Sequence, residues 1–229
     1  MQVVHRYKEI SKCRKQFDIV TKYIHYPIAT FFCALIAPTA ITPNTVTALS
    51  ILSELGAIWL IITNLVDYKI TIVLLLQMGW VLDLSDGMLA RYKKLGFYHP
   101  IKPTLKGFYF DGVSDHILRI VVLTVLGYDL VQQTADYFII VLAGISIYAI
   151  TQMEHVIRDF ILKGTSSPNT LKQASNRFLV EFVLLFNNIY LFYFIFILWN
   201  RIDLLFIIFP IIQLVLLFKR LLNFSFSDY

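Results

Sequence analysis

Six stretches of this chain are apolar over roughly the 20 helical residues needed to cross the hydrocarbon core of a bilayer. They run at about residues 45–65, 70–91, 105–128, 137–161, 177–199 and 204–222, between short polar breaks. Backbone groups in lipid must be satisfied within the protein, so spans are helices or a closed barrel. Runs of this length without period-2 alternation exclude the barrel. The expected fold class is therefore an all-α integral membrane protein, a bundle of six transmembrane helices. Composition agrees: 58% of the residues are hydrophobic and only 15% charged, too apolar for an ordinary soluble domain.

The net charge of +5 reports orientation rather than a nucleic-acid partner, because the basic residues alternate between connections. Arg6, Lys8, Lys12, Arg14, Lys15 and Lys22 precede the first stretch, and Lys93, Lys94, Lys102 and Lys106 separate the second from the third. Arg158, Lys163 and Lys172 separate the fourth from the fifth, and Lys219 and Arg220 end the sixth. The other connections hold only Lys69 and Arg201. The positive-inside rule then predicts a multi-pass protein with both termini in the cytoplasm. Residues 1–26 carry charges throughout and no apolar core, so no cleavable signal peptide is expected.

Residues of about 7–26 alternate basic and apolar positions ahead of Pro27, which predicts an amphipathic helix lying on membrane lipids at the cytoplasmic leaflet. The short apolar segment 27–41 reads as an interfacial or re-entrant element. Thr42 followed by Pro43 predicts a capped helix start. The chain thus divides into an N-terminal interfacial part, residues 1–41, and a membrane domain, residues 42–229.

Four carboxylates break this apolar pattern. Asp83 and Asp86 lie three residues apart at the end of the second stretch, and Asp111 and Asp115 lie four apart at the start of the third. Each pair shares one helix face. A carboxylate within the membrane costs on the order of 3 kcal/mol on insertion scales, so four in neighbouring helices call for compensation. Bound cations supply it, and an all-oxygen cluster suits Mg²⁺ or Mn²⁺ rather than zinc. Four negative charges suffice for two such ions. Gly87 and Gly107 stand beside the pairs and Ala90 one turn from Asp86, so bulky side chains are missing there.

The segment DLSDGMLAR followed by GFYFDGVSD resembles the signature of the CDP-alcohol phosphotransferase family, D-x2-D-G-x2-A-R, a spacer, then G-x3-D-x3-D. Asp83, Asp86, Gly87, Ala90, Arg91, Gly107, Asp111 and Asp115 occupy its fixed positions. The segments QFDIVTKYIHYP and ITPNTVTALS also look like the family's membrane-surface helix and first span, so the resemblance covers roughly the first half of the chain. The spacer, residues 92–106, is about twice the usual length and looks like an inserted cytoplasmic loop.

The resemblance implies metal-dependent transfer of a substituted phosphate group from a CDP-linked donor to an alcohol, with release of CMP, in phospholipid or polar head-group biosynthesis. It implies that Asp83, Asp86, Asp111 and Asp115 hold two Mg²⁺ or Mn²⁺ ions and that Asp115 also acts as the catalytic base. Asp83, Gly87, Ala90, Arg91 and Gly107 would shape the CDP site at the cytoplasmic face, and a homodimer is the expected assembly. The donor is either a lipid such as CDP-diacylglycerol or a soluble CDP-alcohol such as CDP-inositol. Arg119, one turn beyond Asp115, either pairs with that aspartate or, with Arg158 and Lys163, binds the phosphate of a phosphorylated acceptor. A cation transporter is the competing class, although its ionisable groups would be expected along a path through the midplane.

Overall fold

The computed structural model describes residues 2–15, 18–102, 104, 106–165 and 184–226, all-helical with no strand among them. The chain divides into two compact units, Met1–Val122 and Leu123–Tyr229.

The first unit is organised by α3, Pro43–Lys93, preceded by α1, Gln2–Ser11, and α2, Tyr26–Ile36. A straight helix of 51 residues would be about 76 Å long at 1.5 Å per residue. It is not straight: Asn64 has φ −170° and ψ 98°, an extended conformation inside the helix. Ser50 Oγ donates to the Gly79 carbonyl and Ser53 Oγ to that of Leu75, each at 2.8 Å. Thr47 Oγ1 donates to Asp86 Oδ2. As the donor's number rises from 47 to 53 the partner's falls from 86 to 75, so the two arms lie antiparallel as a hairpin. Asn64 closes the turn, its Oδ1 accepting from the Asp67 amide at 3.1 Å and its Nδ2 donating to Asp67 Oδ2 at 2.7 Å. The start is capped as expected: Pro43 opens the helix, and Thr42 Oγ1 accepts from the Thr45 amide at 3.3 Å.

The N-terminal part differs from the single helix expected over 7–26. α1 stops at Ser11, the chain turns through Lys12 and Cys13, and helix resumes at residue 19. Asp18 explains the restart, because its Oδ1 accepts from the Thr21 amide at 3.0 Å and its Oδ2 from Thr21 Oγ1 at 2.7 Å. Helix then continues through a π-helical turn, Thr21–His25, into α2 without stopping before Pro27. The Tyr26 amide bonds five residues back to Thr21; this wider turn gives room to a proline ring that an α-helical interior would exclude.

Small residues on one face of α2, Ala29, Thr30, Cys33 and Ala34, are buried. Cys33 Sγ donates to the Ser85 carbonyl at 3.2 Å, which brings α2 against α3 between Asp83 and Asp86. Arg14 ties this layer to α1, with Nε 3.0 Å from Thr30 Oγ1 and Nη2 3.1 Å from the Tyr7 hydroxyl.

α4, Lys106–Gln133, begins in the first unit and ends in the second. In the second unit it is followed by α5, Phe138–Thr165, α6, Ile189–Leu198, and α7, Ile202–Phe226. Gly127 and Gly144 permit close packing there: a Cβ at Gly127 would meet Val141 and Phe206, and one at Gly144 would lie 3.0 Å from Phe206 Cδ1. Phe209 packs in tilted contact with Phe192 and Tyr148, with ring centroids 4.8 and 5.7 Å away.

By length and composition three helices among the described residues can cross a membrane, within Pro43–Tyr98, Ala135–Glu154 and Ile202–Leu222. The difference from six stretches has local causes. The first helix contains two of them, folded at Asn64, while α4 interrupts its apolar run with Asp115, Arg119 and Asp129. Residues 166–183, which hold the start of the fifth stretch, lie outside the described residues.

Candidate metal and nucleotide site

Helical spacing sets Asp83 and Asp86 on the second arm of α3, near its C-terminal end, and Asp111 and Asp115 in the first half of α4. Asp83 and Asp115 share a partner. Arg119 Nη2 lies 3.2 Å from Asp115 Oδ2 and 3.9 Å from Asp83 Oδ2, so one guanidinium joins carboxylates from two helices. The same guanidinium sits over the Trp80 ring, 5.5 Å from its centroid. Trp80 is held in turn, its Nε1 donating to Thr21 Oγ1 at 3.4 Å, and Thr21 is anchored by Asp18. Asp18, Thr21 and Trp80 are all buried, so the N-terminal segment supports the floor of this cluster.

Asp86 is 3% exposed and accepts from Thr47 Oγ1 on the first arm. The hydroxyl also lies 3.2 Å from the Pro43 carbonyl, which positions it between the two oxygens. Among the described residues no three of His, Cys, Asp and Glu gather closely enough to hold an ion. Asp111 belongs to α4, but its side chain and the surroundings of Gly107 fall outside what is described, as do the side chains of Arg158 and Lys163 on α5.

Asp83, Asp86 and Asp115 offer only oxygen, the donor chemistry that a hard cation takes, and Asp83 and Asp115 both approach a positive charge, the guanidinium of Arg119.

The Arg91 guanidinium folds back along the helix beside Gly87, where a Cβ would stand in ordinary van der Waals contact, 3.4 Å from Nη1 and 3.5 Å from Nη2. Arg91 Nε donates to the Cys13 carbonyl at 2.7 Å, and Nη1 lies 3.5 Å from the Tyr98 hydroxyl, its guanidinium 5.8 Å from that ring's centroid. Arg91 thereby connects the turn after α1 with the first part of the 92–106 loop. Ala90 ends the helix through its carbonyl, which accepts from the Leu95 amide at 2.9 Å while Lys94 takes a left-handed φ of 53°.

Two further ionisable groups lie in the same unit. Glu54 is 2% exposed on the first arm, and only a glycine at 79 admits it, since a Cβ there would come within 2.8 Å of Glu54 Cγ. His25, at the end of the π-helical turn, shares a 2.9 Å hydrogen bond between Nε2 and Gln77 Oε1. Burial pushes its pKa below 6.5, against the opposing influence of Gln77 and Asp18.

Thr47, Trp80 and Asp18 are the site residues that sequence reading missed. Thr47 carried a faint signal, standing one turn after a helix cap. Trp80 carried none, as it reads as one more apolar residue of the second stretch. Neither protein-family models nor curated proteins match the chain.

Proposed function

We propose that this protein is an integral membrane phosphotransferase that moves a substituted phosphate group from a CDP-linked donor to an alcohol and releases CMP. The observation that carries this reading is the convergence of Asp83 from α3 and Asp115 from α4 on one cation, with Asp86 held beside them by Thr47. The signature resemblance of residues 83–91 and 107–115 supports it. In full, the reading is a six-span bundle with the site and both termini in the cytoplasm, working as a homodimer.

In this proposal Asp83, Asp86, Asp111 and Asp115 bind two Mg²⁺ or Mn²⁺ ions. When bound, such ions neutralise a pyrophosphate and improve CMP as a leaving group. Thr47 keeps one Asp86 oxygen engaged and so limits that carboxylate's rotation. Gly87 and Arg91 form the wall of the nucleotide side, with Arg91 directed by the Cys13 carbonyl and Tyr98. Asp115 takes the proton of the acceptor hydroxyl as that oxygen attacks the β-phosphorus of the donor. Arg158 and Lys163 are assigned to the acceptor side on charge alone, and Arg119 joins them only when it leaves the aspartates.

The test is CMP release by the purified full chain in nanodiscs, offered a panel of lipid and soluble CDP-donors with phosphorylated and unphosphorylated alcohols. Release is expected with Mg²⁺ or Mn²⁺ and should vanish in excess EDTA. Undiminished release in EDTA overturns the two-metal reading. Ion flux into proteoliposomes with no CMP from any donor would favour a transporter.

A further inference from the structure

We infer that Arg119 is the internal counter-cation of the carboxylate site, seated on Trp80 and displaced from Asp83 and Asp115 when a divalent cation binds. The inference rests on the metal-dependent reading above and adds a residue outside the signature.

The side chains of Asp83, Asp115 and Arg119 are 13%, 20% and 17% exposed, so each charge is largely withdrawn from water. Carboxylates in that setting need a positive partner before any metal arrives. Arg119 supplies it through Nη2, set 3.2 Å from one carboxylate and 3.9 Å from the other. An ordinary pair along one helix would account for Asp115 at i, i+4, but not for the approach to Asp83 on another helix or for the aromatic seat.

Trp80 gives the displaced guanidinium somewhere to stay. Its ring face lies 5.5 Å from the guanidinium carbon, and its own position is fixed by the buried chain through Thr21 to Asp18. A cation entering between Asp83 and Asp115 meets a like charge within a few ångströms, so metal and arginine compete for the same oxygens. Such competition lowers metal affinity and keeps the metal-free protein folded.

The experiment measures Mn²⁺ binding by electron paramagnetic resonance on the full chain in nanodiscs, for the wild type, Arg119→Gln and Arg119→Lys. Arg119→Gln should bind Mn²⁺ about tenfold more tightly or better, with a lower thermal midpoint in EDTA that saturating Mn²⁺ restores. Arg119→Lys, which keeps the charge, should stay near the wild type. A second measurement needs no variant of Arg119. Trp59 and Trp199 are exposed and replaceable by Phe, leaving Trp80 as the sole reporter among the three tryptophans. Its emission should change on titration with Mg²⁺ and saturate with site occupancy. Equal or weaker Mn²⁺ affinity in Arg119→Gln, or unchanged Trp80 emission at full Mg²⁺ occupancy, overturns the inference while leaving the phosphotransferase proposal standing. Absence of Mn²⁺ binding by the wild type overturns both.

Discussion

Thr47 and Asp86 stand 39 residues apart and meet through one buried hydroxyl. Removing that donor leaves a carboxylate oxygen buried without it, a loss of about 1–3 kcal/mol. Thr47→Val should therefore lower thermal stability in EDTA, and Thr47→Ser should retain it; equal midpoints for the two variants would show that the hydroxyl contributes little. Asp115→Asn removes the proposed base and one ligand oxygen's charge, so turnover should fall by about 10² or more while donor binding persists weakly. Near wild-type CMP release would place the base elsewhere. His25 adds a pH dependence. Its folded pKa is below 6.5, so between that lowered value and 6.5 the unfolded chain binds more protons. The contribution of His25 to stability is therefore level above pH 6.5 and is lost as pH falls below it. Thermal midpoints from pH 7.5 to 5.5 should show a steeper decline for the wild type than for His25→Asn, and parallel curves would contradict this.

At the scale of elements, the hairpin of α3 depends on what its two arms leave out. The buried Glu54 is accommodated because position 79 lacks a side chain, and a Cβ there would also lie 3.2 Å from Glu54 Oε1. Gly79→Ala should destabilise the hairpin by about 1–3 kcal/mol through overpacking, and combining it with Glu54→Ala should recover part of that loss. Additive losses in the double variant would mean that the two positions do not meet. The N-terminal elements teach a different lesson. Alternating basic and apolar residues suggested one continuous helix, yet Asp18 supplied a side-chain cap that starts a second helix, and a π-helical turn carried it through Pro27. Both events turn on one or two hydrogen bonds, which a periodic pattern does not encode.

For the whole molecule, the proposed topology is the property most open to direct measurement. In a chain whose Cys13 and Cys33 are replaced by Ser, Lys102→Cys should be labelled by an impermeant thiol reagent only from the cytoplasmic side. Gln132→Cys should be labelled only from the opposite side, following the charge bias of the connections. The reverse pattern would refute both the orientation and a cytoplasmic site.

The helical class and the spacing of the carboxylates were legible in the amino-acid order alone. Lipid leaves backbone groups no partner but each other, and residues three or four apart share a helix face wherever that helix lies. The cap at Thr42 and Pro43 was legible for the same reason, since its hydrogen bonds join near neighbours. What only the tertiary structure decided are the contacts between distant segments: Asp83 and Asp115 on one guanidinium, Thr47 on Asp86, Trp80 on Thr21, and Arg91 on the Cys13 carbonyl. Each depends on how helices cross and at what height. Packing of side-chain volumes across the whole unit sets that geometry, and no local period in the sequence carries it.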